Sequence, residues 1–267
     1  MSNNFILKPQ DETMYGLEKN KNELLNVVVK SNELIIKGKF SLSAQQQKIM
    51  MYIISQIEKE DTHFKEYEFN IKDFCTLLNI DKDNGRIYTL LKQQIKDIAD
   101  KSMWFKDEKG KDVLVRWIEK PYIDTNSGLI RIRLDSDMKP YLLQLKNNFT
   151  RYNLIYPLSF NSKYSIRLYE ILKSVLHENN DYFEKIFFVE ELKSLLDCEH
   201  YTLFKDFNVR VLQTAKREIN ANSDINIDYT FIKTSRKVQY VKVYIFDKDI
   251  HQTEEIKYRL LKENKED

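Results

Sequence analysis

Between Ile71 and Ala99 the chain lays down a spacing of apolar residues that it uses a second time between Val189 and Ala215. Ile71, Phe74, Leu77 and Leu78 correspond to Val189, Leu192, Leu195 and Leu196. After a turn that is shorter by two residues in the second copy, Tyr88, Leu91, Ile95 and Ala99 correspond to Phe204, Phe207, Val211 and Ala215. Steps of three and four residues are the period of an amphipathic helix. What matches is the core pattern rather than residue identity. Agreement of spacing across several elements restricts the chain to two copies of one supersecondary unit.

The flanks of the two copies agree as well. Ser43 followed by Gln46 reads as a capping box, and the helix it opens runs to about Lys59 with Ile49, Ile53 and Ile57 inward. Glu68 and Phe69 end a short strand, and Asn70 caps the second helix. The turn NIDKDNG leads to a third helix over 86–101. Strand-like pieces follow, SMWFK, VLVRWI and LIRIRL. In the last, Ile130, Ile132 and Leu134 alternate with Arg131 and Arg133, the period of a half-buried strand. The second copy opens with a helix over 162–177, continues through the strand EKIFF and the helix VEELKSLL, and reaches a helix from Thr202 to Ala221. It closes with INIDYTFI, the basic turn KTSRK and VQYVKVYIF. Helix, strand, helix, turn, helix and hairpin is the order of a winged helix, in which the third helix is presented and the hairpin is the wing.

The fold class that follows is α+β, two tandem winged-helix domains related as an internal repeat. We divide the chain into a partly flexible N-terminal arm (1–31), a first domain (32–146), a linker (147–161), a second domain (162–248) and a charged C-terminal tail (249–267). Residues 26–36 fit a helix or a strand, 135–146 a connecting helix, and FTRYNLIYPLSF an extended link. The tail reads as a charged, solvated helix with Ile256 and Leu260 as its few apolar contacts, and weak packing on the second domain or engagement of a partner is the alternative. The sheet around Trp117 and Ile130 is either a self-association surface or the closure of the first core.

Composition bounds the chemistry. With five Gly, four Pro and no GxxxxGK[ST], the chain has no phosphate-cradling loop. His63, His177, His200 and His251 lie far apart, and Cys198 with His200 falls short of a metal site, so no cofactor and no enzyme activity are expected. Cys75 and Cys198 read as buried thiols, which fits a reducing, cytoplasmic setting. No stretch is apolar enough to span a membrane. Net charge is only +2, but it is polarised. From Glu58 to Asp83 there are four lysines against eight carboxylates, and from Tyr201 to Tyr240 seven Lys and Arg against four carboxylates. A basic region of this kind favours a polyanionic partner.

That region contains the candidate site. Opposite its apolar side, the Thr202–Ala221 helix carries Lys205, Asp206, Val209, Gln213, Lys216, Arg217 and Asn220, with Arg210 on the flank. Arg suits guanine or phosphate, Gln and Asn suit adenine, and an exposed Val suits a thymine methyl. Lys233, Arg236 and Lys237 sit in the wing turn, placed for phosphates or a minor groove. In the first copy the third helix offers Arg86, Gln93 and Lys96, but Asp97 and Asp100 on the same helix repel phosphates. The first domain is therefore expected to read DNA weakly, or to contact backbone or protein.

Several stretches carry a family resemblance: NELIIKGKFSLSAQQQKIMMYII, the link YLLQLKNNFTRYNL, SFNSKYSIRLYEILK and FKDFNVRVLQTAKREIN. Across 32–246 the chain resembles the initiator (Rep) proteins of theta-replicating, iteron-containing plasmids. The resemblance implies a replication initiator that binds direct repeats at an origin, with the second domain making the main base contacts. It also implies a first domain that supports dimerisation, a dimer that represses its own gene, and a host replication initiator and helicase as partners. A tandem winged-helix transcription regulator and a protein-interaction module are the competing readings. The basic helix and wing favour DNA over the module, and the link with YSIRLYE favours the initiator over the regulator.

Overall fold

The computed structural model describes residues 22–38, 41–78, 87–106, 110–176 and 182–263. Strand β1 (Val27–Ser31) runs into helix α1 (Asn32–Lys37), whose first turn is capped by the Ser31 hydroxyl accepting from the Leu34 amide. The segment 26–36 is thus a strand followed by a helix. Helix α2 (Ala44–Ile54) opens with the expected capping box, Ser43 accepting from the Gln46 amide and Gln46 from the Ser43 amide. It ends at Ile54, short of the expected Lys59, where the Ser55 hydroxyl turns back to the Tyr52 carbonyl. Residues 46–54 are all buried, so α2 is a central helix rather than a one-sided one.

Strand β2 (Tyr67–Asn70) leads into α3 (Ile71–Leu77), with Asn70 Oδ1 accepting from the Lys72 and Asp73 amides. Helix α4 (Ile87–Ala99) follows, then the hairpin β3 (Ser102–Lys106) and β4 (Asp112–Arg116), and the pair β5 (Tyr122–Asp124) and β6 (Leu129–Ile132). The first domain's sheet has the order β2–β6–β5, all antiparallel. Ile130, Ile132 and Leu134 are buried and Arg131 and Arg133 exposed, as their alternation requires. Trp117 and Ile130 are 1% and 0% exposed. They close the core and are not available as a self-association surface. Exposed apolar residues of this domain's strands include Trp104 opposite Leu114 on β3–β4, at 65% and 43% exposure, and Tyr122 on β5.

Only a 3-10 turn (Ser136–Met138) and the short helix α5 (Lys139–Leu142) form where a longer connecting helix was expected. The next segment is not an extended link. Strand β7 (Phe149–Asn153) pairs antiparallel with β1, and helix α6 (Ile155–Leu158) follows. A strand needs a partner for its backbone groups, and the end of the N-terminal arm supplies it. The two segments read as arm and linker therefore form one ladder.

Helix α7 (Lys163–Val175) opens the second repeat and packs on α1, α2 and β7 as well as on its own domain. A buried charge cluster sits at that junction. Lys30 on β1 meets Glu170 on α7 at 2.6 Å, the Tyr152 hydroxyl of β7 donates to the same carboxylate, and Arg167 donates to the Ile35 and Gly38 carbonyls. Burial would raise the Glu170 carboxyl, but Lys30 and Arg167 outweigh it and hold it below its ordinary value. The second domain continues with β8 (Tyr182–Phe188) and α8 (Val189–Leu195). Helix α9 comes next, built from Phe204–Phe207, a π turn Asn208–Gln213 and Thr214–Asn222. The wing strands β9 (Ile225–Thr234) and β10 (Lys237–Asp247) complete a sheet of order β8–β10–β9.

Both repeats thus form winged helices. Cys75 and Cys198 are buried and not joined in a disulfide, and burial pushes the Cys198 thiol up to about 12. The tail departs from the solvated reading. Helix α10 (Ile250–Glu263) packs on α6 and α9, burying Leu260, while Arg259 donates to the Ala221 carbonyl at 2.7 Å and to Asn222 at 3.0 Å. Among the described residues no helix is long and apolar enough to cross a membrane.

Candidate nucleic-acid interface

The second domain's third helix is fixed to the wing at both ends. Near its start, Phe204 meets Phe231 of β9 edge to face at 4.9 Å, and the Tyr229 hydroxyl donates to Asn208 Oδ1 at 3.1 Å. Near its end, Asn220 exchanges two hydrogen bonds with the backbone of Ile227, at 2.7 and 3.0 Å. Asn220 is therefore a strut between helix and strand and is not free to read a base. Phe207, Val211, Ala215 and Ile219 are fully buried and Phe204 partly so, which is the expected apolar side.

Lys205, Val209, Arg210, Gln213 and Arg217 are exposed. Within the described residues their side chains make no hydrogen bond or ion pair, so their donors are available to a ligand. Lys216 is half-buried and tied to Asp228 on β9 at 2.6 Å, with its ammonium over the Tyr229 ring. That hydrogen bond holds the Asp228 carboxyl below its ordinary value. Asp206 is half-buried next to Lys205. Lys233, Arg236 and Lys237 are exposed around the two-residue wing turn Ser235–Arg236. Strand β9 starts beside the Asn220 end of the helix and, because Phe231 packs on Phe204, passes its Lys205 end just before Lys233 and the wing turn.

The first domain's helix presents something different. Arg86 lies outside the described residues. Gln93 is exposed but donates to Asp97 at 2.6 Å, and Asp97 also accepts from Gln46 of α2 at 3.3 Å. Lys96 pairs with Asp100 at 2.6 Å, which raises its ammonium. Among the described residues of this helix the cation without an ion pair is Lys92, which sequence reading passed over and which stands one position beyond buried Leu91. Leu90 beside it is 47% exposed. Among the described residues no group of three or more His, Cys, Asp or Glu is placed to hold a metal ion.

Two family models match the chain. The family model for the WH1 domain of initiator replication proteins matches residues 27–173, and that for the WH2 domain of initiator Rep proteins matches 189–245. A replication initiation protein of Escherichia coli is 26% identical over 209 residues, covering 75% of this chain and 64% of the relative's own length. Among solved structures, the Pi initiator protein in complex with iteron DNA shares the fold with a TM-score of 0.70. The sequences are 18% identical, and the match covers 84% of this chain and 98% of that one.

Proposed function

The chain belongs to the initiator replication protein family, and we propose that it is a plasmid replication initiator that binds direct repeats at its replication origin, with the second domain as the main base reader. The observation that carries this reading is the set of unpaired donors on α9, Lys205, Arg210, Gln213 and Arg217, beside a wing whose cations are equally unpaired. Unpaired Arg and Lys gain phosphate contacts without first breaking an internal bond, and Gln and Arg have the donor geometry for adenine and guanine edges. The Pi initiator, whose fold this chain shares, was captured on iteron DNA. The chemistry is binding, without a covalent step.

Self-association belongs to the same reading, with the monomer active at the origin and a dimer repressing the chain's own gene. Trp104 and Leu114, facing solvent side by side on β3–β4, support a first-domain surface for it. A host replication initiator and helicase are the expected protein partners. The deciding experiment is a gel-shift titration on the DNA flanking the gene, at two salt concentrations, with random duplex as competitor. A ladder with one competitor-resistant complex per direct repeat is the expected result. A single complex at a promoter palindrome turns the reading to a transcription regulator, and no salt-sensitive binding removes both.

A further inference from the structure

Helix α9 departs from regular α geometry, and its sequence explains why. Phe207, Val211, Ala215 and Ile219 follow one another at steps of four, and all are fully buried. In an α-helix each such step overshoots a full turn by about 40°, so three steps carry the seam about 120° round the helix. The π turn Asn208–Gln213 takes in one extra residue, about 100° of α-helical rotation. That correction returns Ala215 and Ile219 to the side of Phe207, and one seam fits one core.

The same correction acts on the opposite side. Lys205, Val209, Gln213 and Arg217 also follow at steps of four, displaced by two residues from the buried seam, and all are exposed. Without the wide turn they would wind round the helix. With it they stand in a row parallel to the axis, and Arg210 lies beside the row. Asn208 is held at the start of the turn by the Tyr229 hydroxyl, and the Thr214 hydroxyl reaches the Val209 carbonyl at 3.5 Å.

We propose that the π turn is the specificity-determining element of this domain: it sets Lys205, Val209, Gln213 and Arg217 in one straight row along the floor of a major groove and leaves Arg210 to the phosphates. The proposal rests on the second domain being the base reader. From residue 205 to residue 217 the row rises about 18 Å, which is about five base pairs at 3.4 Å each. Lys and Arg suit guanine, Gln suits adenine, and Val meets a thymine methyl.

The test is selection from a pool of random-sequence duplexes by the full chain, with and without Asn208. Deleting Asn208 closes the turn to α-helical register while Phe207, Val211, Leu212, Ala215 and Ile219 remain on one side, so the core is kept. The deletion rotates Val209 out of the row and Arg210 into it, and leaves Lys205, Gln213 and Arg217 in place. The expected result is a base preference changed about tenfold at the position between those set by Lys205 and Gln213, with flanking preferences retained and random-duplex affinity lowered as Arg210 leaves the phosphates. A folded deletion variant with the original preference overturns the proposal, and so does uniform loss at every position. If the deletion abolishes the cooperative melt, Val209→Ala and Arg210→Ala decide. The proposal expects Val209→Ala to relax one inner position and Arg210→Ala to weaken all duplexes alike, and the reverse pattern overturns it. If Gln213→Ala and Arg217→Ala leave the selected sequence unchanged, it is the underlying assignment of the reader that has failed.

Discussion

Helices α4 and α9 occupy the same place in the two repeats and hide the same kind of side, Leu91, Ile95 and Ile98 in one, Phe207, Val211, Ala215 and Ile219 in the other. Their outward sides differ in what the polar groups are already doing. On α4, Gln93 is engaged by Asp97 and Lys96 by Asp100. On α9, Gln213, Arg210 and Arg217 are free, and the tied cation, Lys216, is tied across to the wing rather than along the helix. Counting basic residues does not separate the two helices as well as asking which donors are free. An ion pair at i and i+4 contributes only a few tenths of a kcal/mol to its own helix, yet it places a carboxylate where a phosphate would have to sit.

The shared part of the comparison predicts the largest effects. Phe207→Ala and Leu91→Ala each remove a fully buried side chain, and each is expected to cost about 2–5 kcal/mol of unfolding free energy. Urea titration of both variants checks this. A much smaller loss in one domain would show that the two cores are not equivalent. The unshared part predicts the next largest. Arg217→Ala is expected to weaken specific binding by about 1–3 kcal/mol if the side chain reads a base. Lys92→Ala, the matching loss of a free cation on α4, should change specific and random binding alike and make the salt dependence shallower by about one phosphate contact. Competition gel shifts at two salt concentrations separate the outcomes, and equal losses of specificity from both variants would break the comparison.

The repeat, the helices, the Ser43 capping box, the Asn70 cap and the alternation of Ile130, Ile132 and Leu134 were legible because each is a local pattern of period or cap chemistry. The strand β7 was not, since FTRYN carries no turn signal and its partner, VVVKS, lies more than a hundred residues earlier. Nor was the packing of α10, which depends on Leu260 and on Arg259 reaching the end of α9. At the site, periodicity placed Lys205, Val209, Gln213 and Arg217 on the outer side but could not tell a free donor from an engaged one. Asn220 read as exposed on a helical wheel, yet its side chain belongs to the backbone of Ile227. The π turn was written in the spacing, as three consecutive steps of four, but a wheel drawn at 100° per residue absorbs that drift as a broad apolar side.

A smaller effect joins the two repeats. Lys48 on α2 is buried and feels Glu218 on α9, and burial lowers its ammonium to about 8, with Glu218 opposing. Lys248, which donates to the Asn220 and Ser223 carbonyls at the end of α9, is lowered to about 8 as well, by burial first. Such lysines are still protonated in the unfolded chain up to 10.5 but lose the proton in the folded one above about 8. The unfolded state then binds more protons, and stability rises with pH across that window. Above about 10 the buried Tyr152 and Tyr169 act the other way, because their phenols are raised and stay protonated while the unfolded ones ionise. Urea titrations between pH 7.5 and 10 should show the rise, with Lys48 contributing at most about 1.4 kcal/mol per pH unit. Lys48→Met should flatten it only in part, and a slope unchanged by that variant would assign the rise to Lys248 and to Lys30 and Lys101, which burial also lowers.

The smallest expected effect bears most directly on why α4 differs from α9. Asp97→Asn with Asp100→Asn keeps the shape of both side chains, and the amide oxygen introduced at position 97 can still accept from one of Gln46 and Gln93, which reach different oxygens of the carboxylate. What changes is charge: two carboxylates leave the outer side of α4, and Lys96 is released from its pair. If engaged donors and misplaced carboxylates are what silence this helix, the double variant should bind random duplex about two- to fivefold more tightly at low salt. That corresponds to less than about 1 kcal/mol for exposed charges. The gain should fade as the Debye length shortens toward 0.15 M salt, and the salt slope should steepen by about 0.9 if the freed Lys96 takes up a phosphate. On the proposed reading, specificity should stay unchanged, because a released lysine adds a point charge without a base-reading geometry. An unchanged slope would mean that α4 is turned away from the duplex altogether. The difference between the repeats would then lie in how the first domain is docked rather than in its side chains.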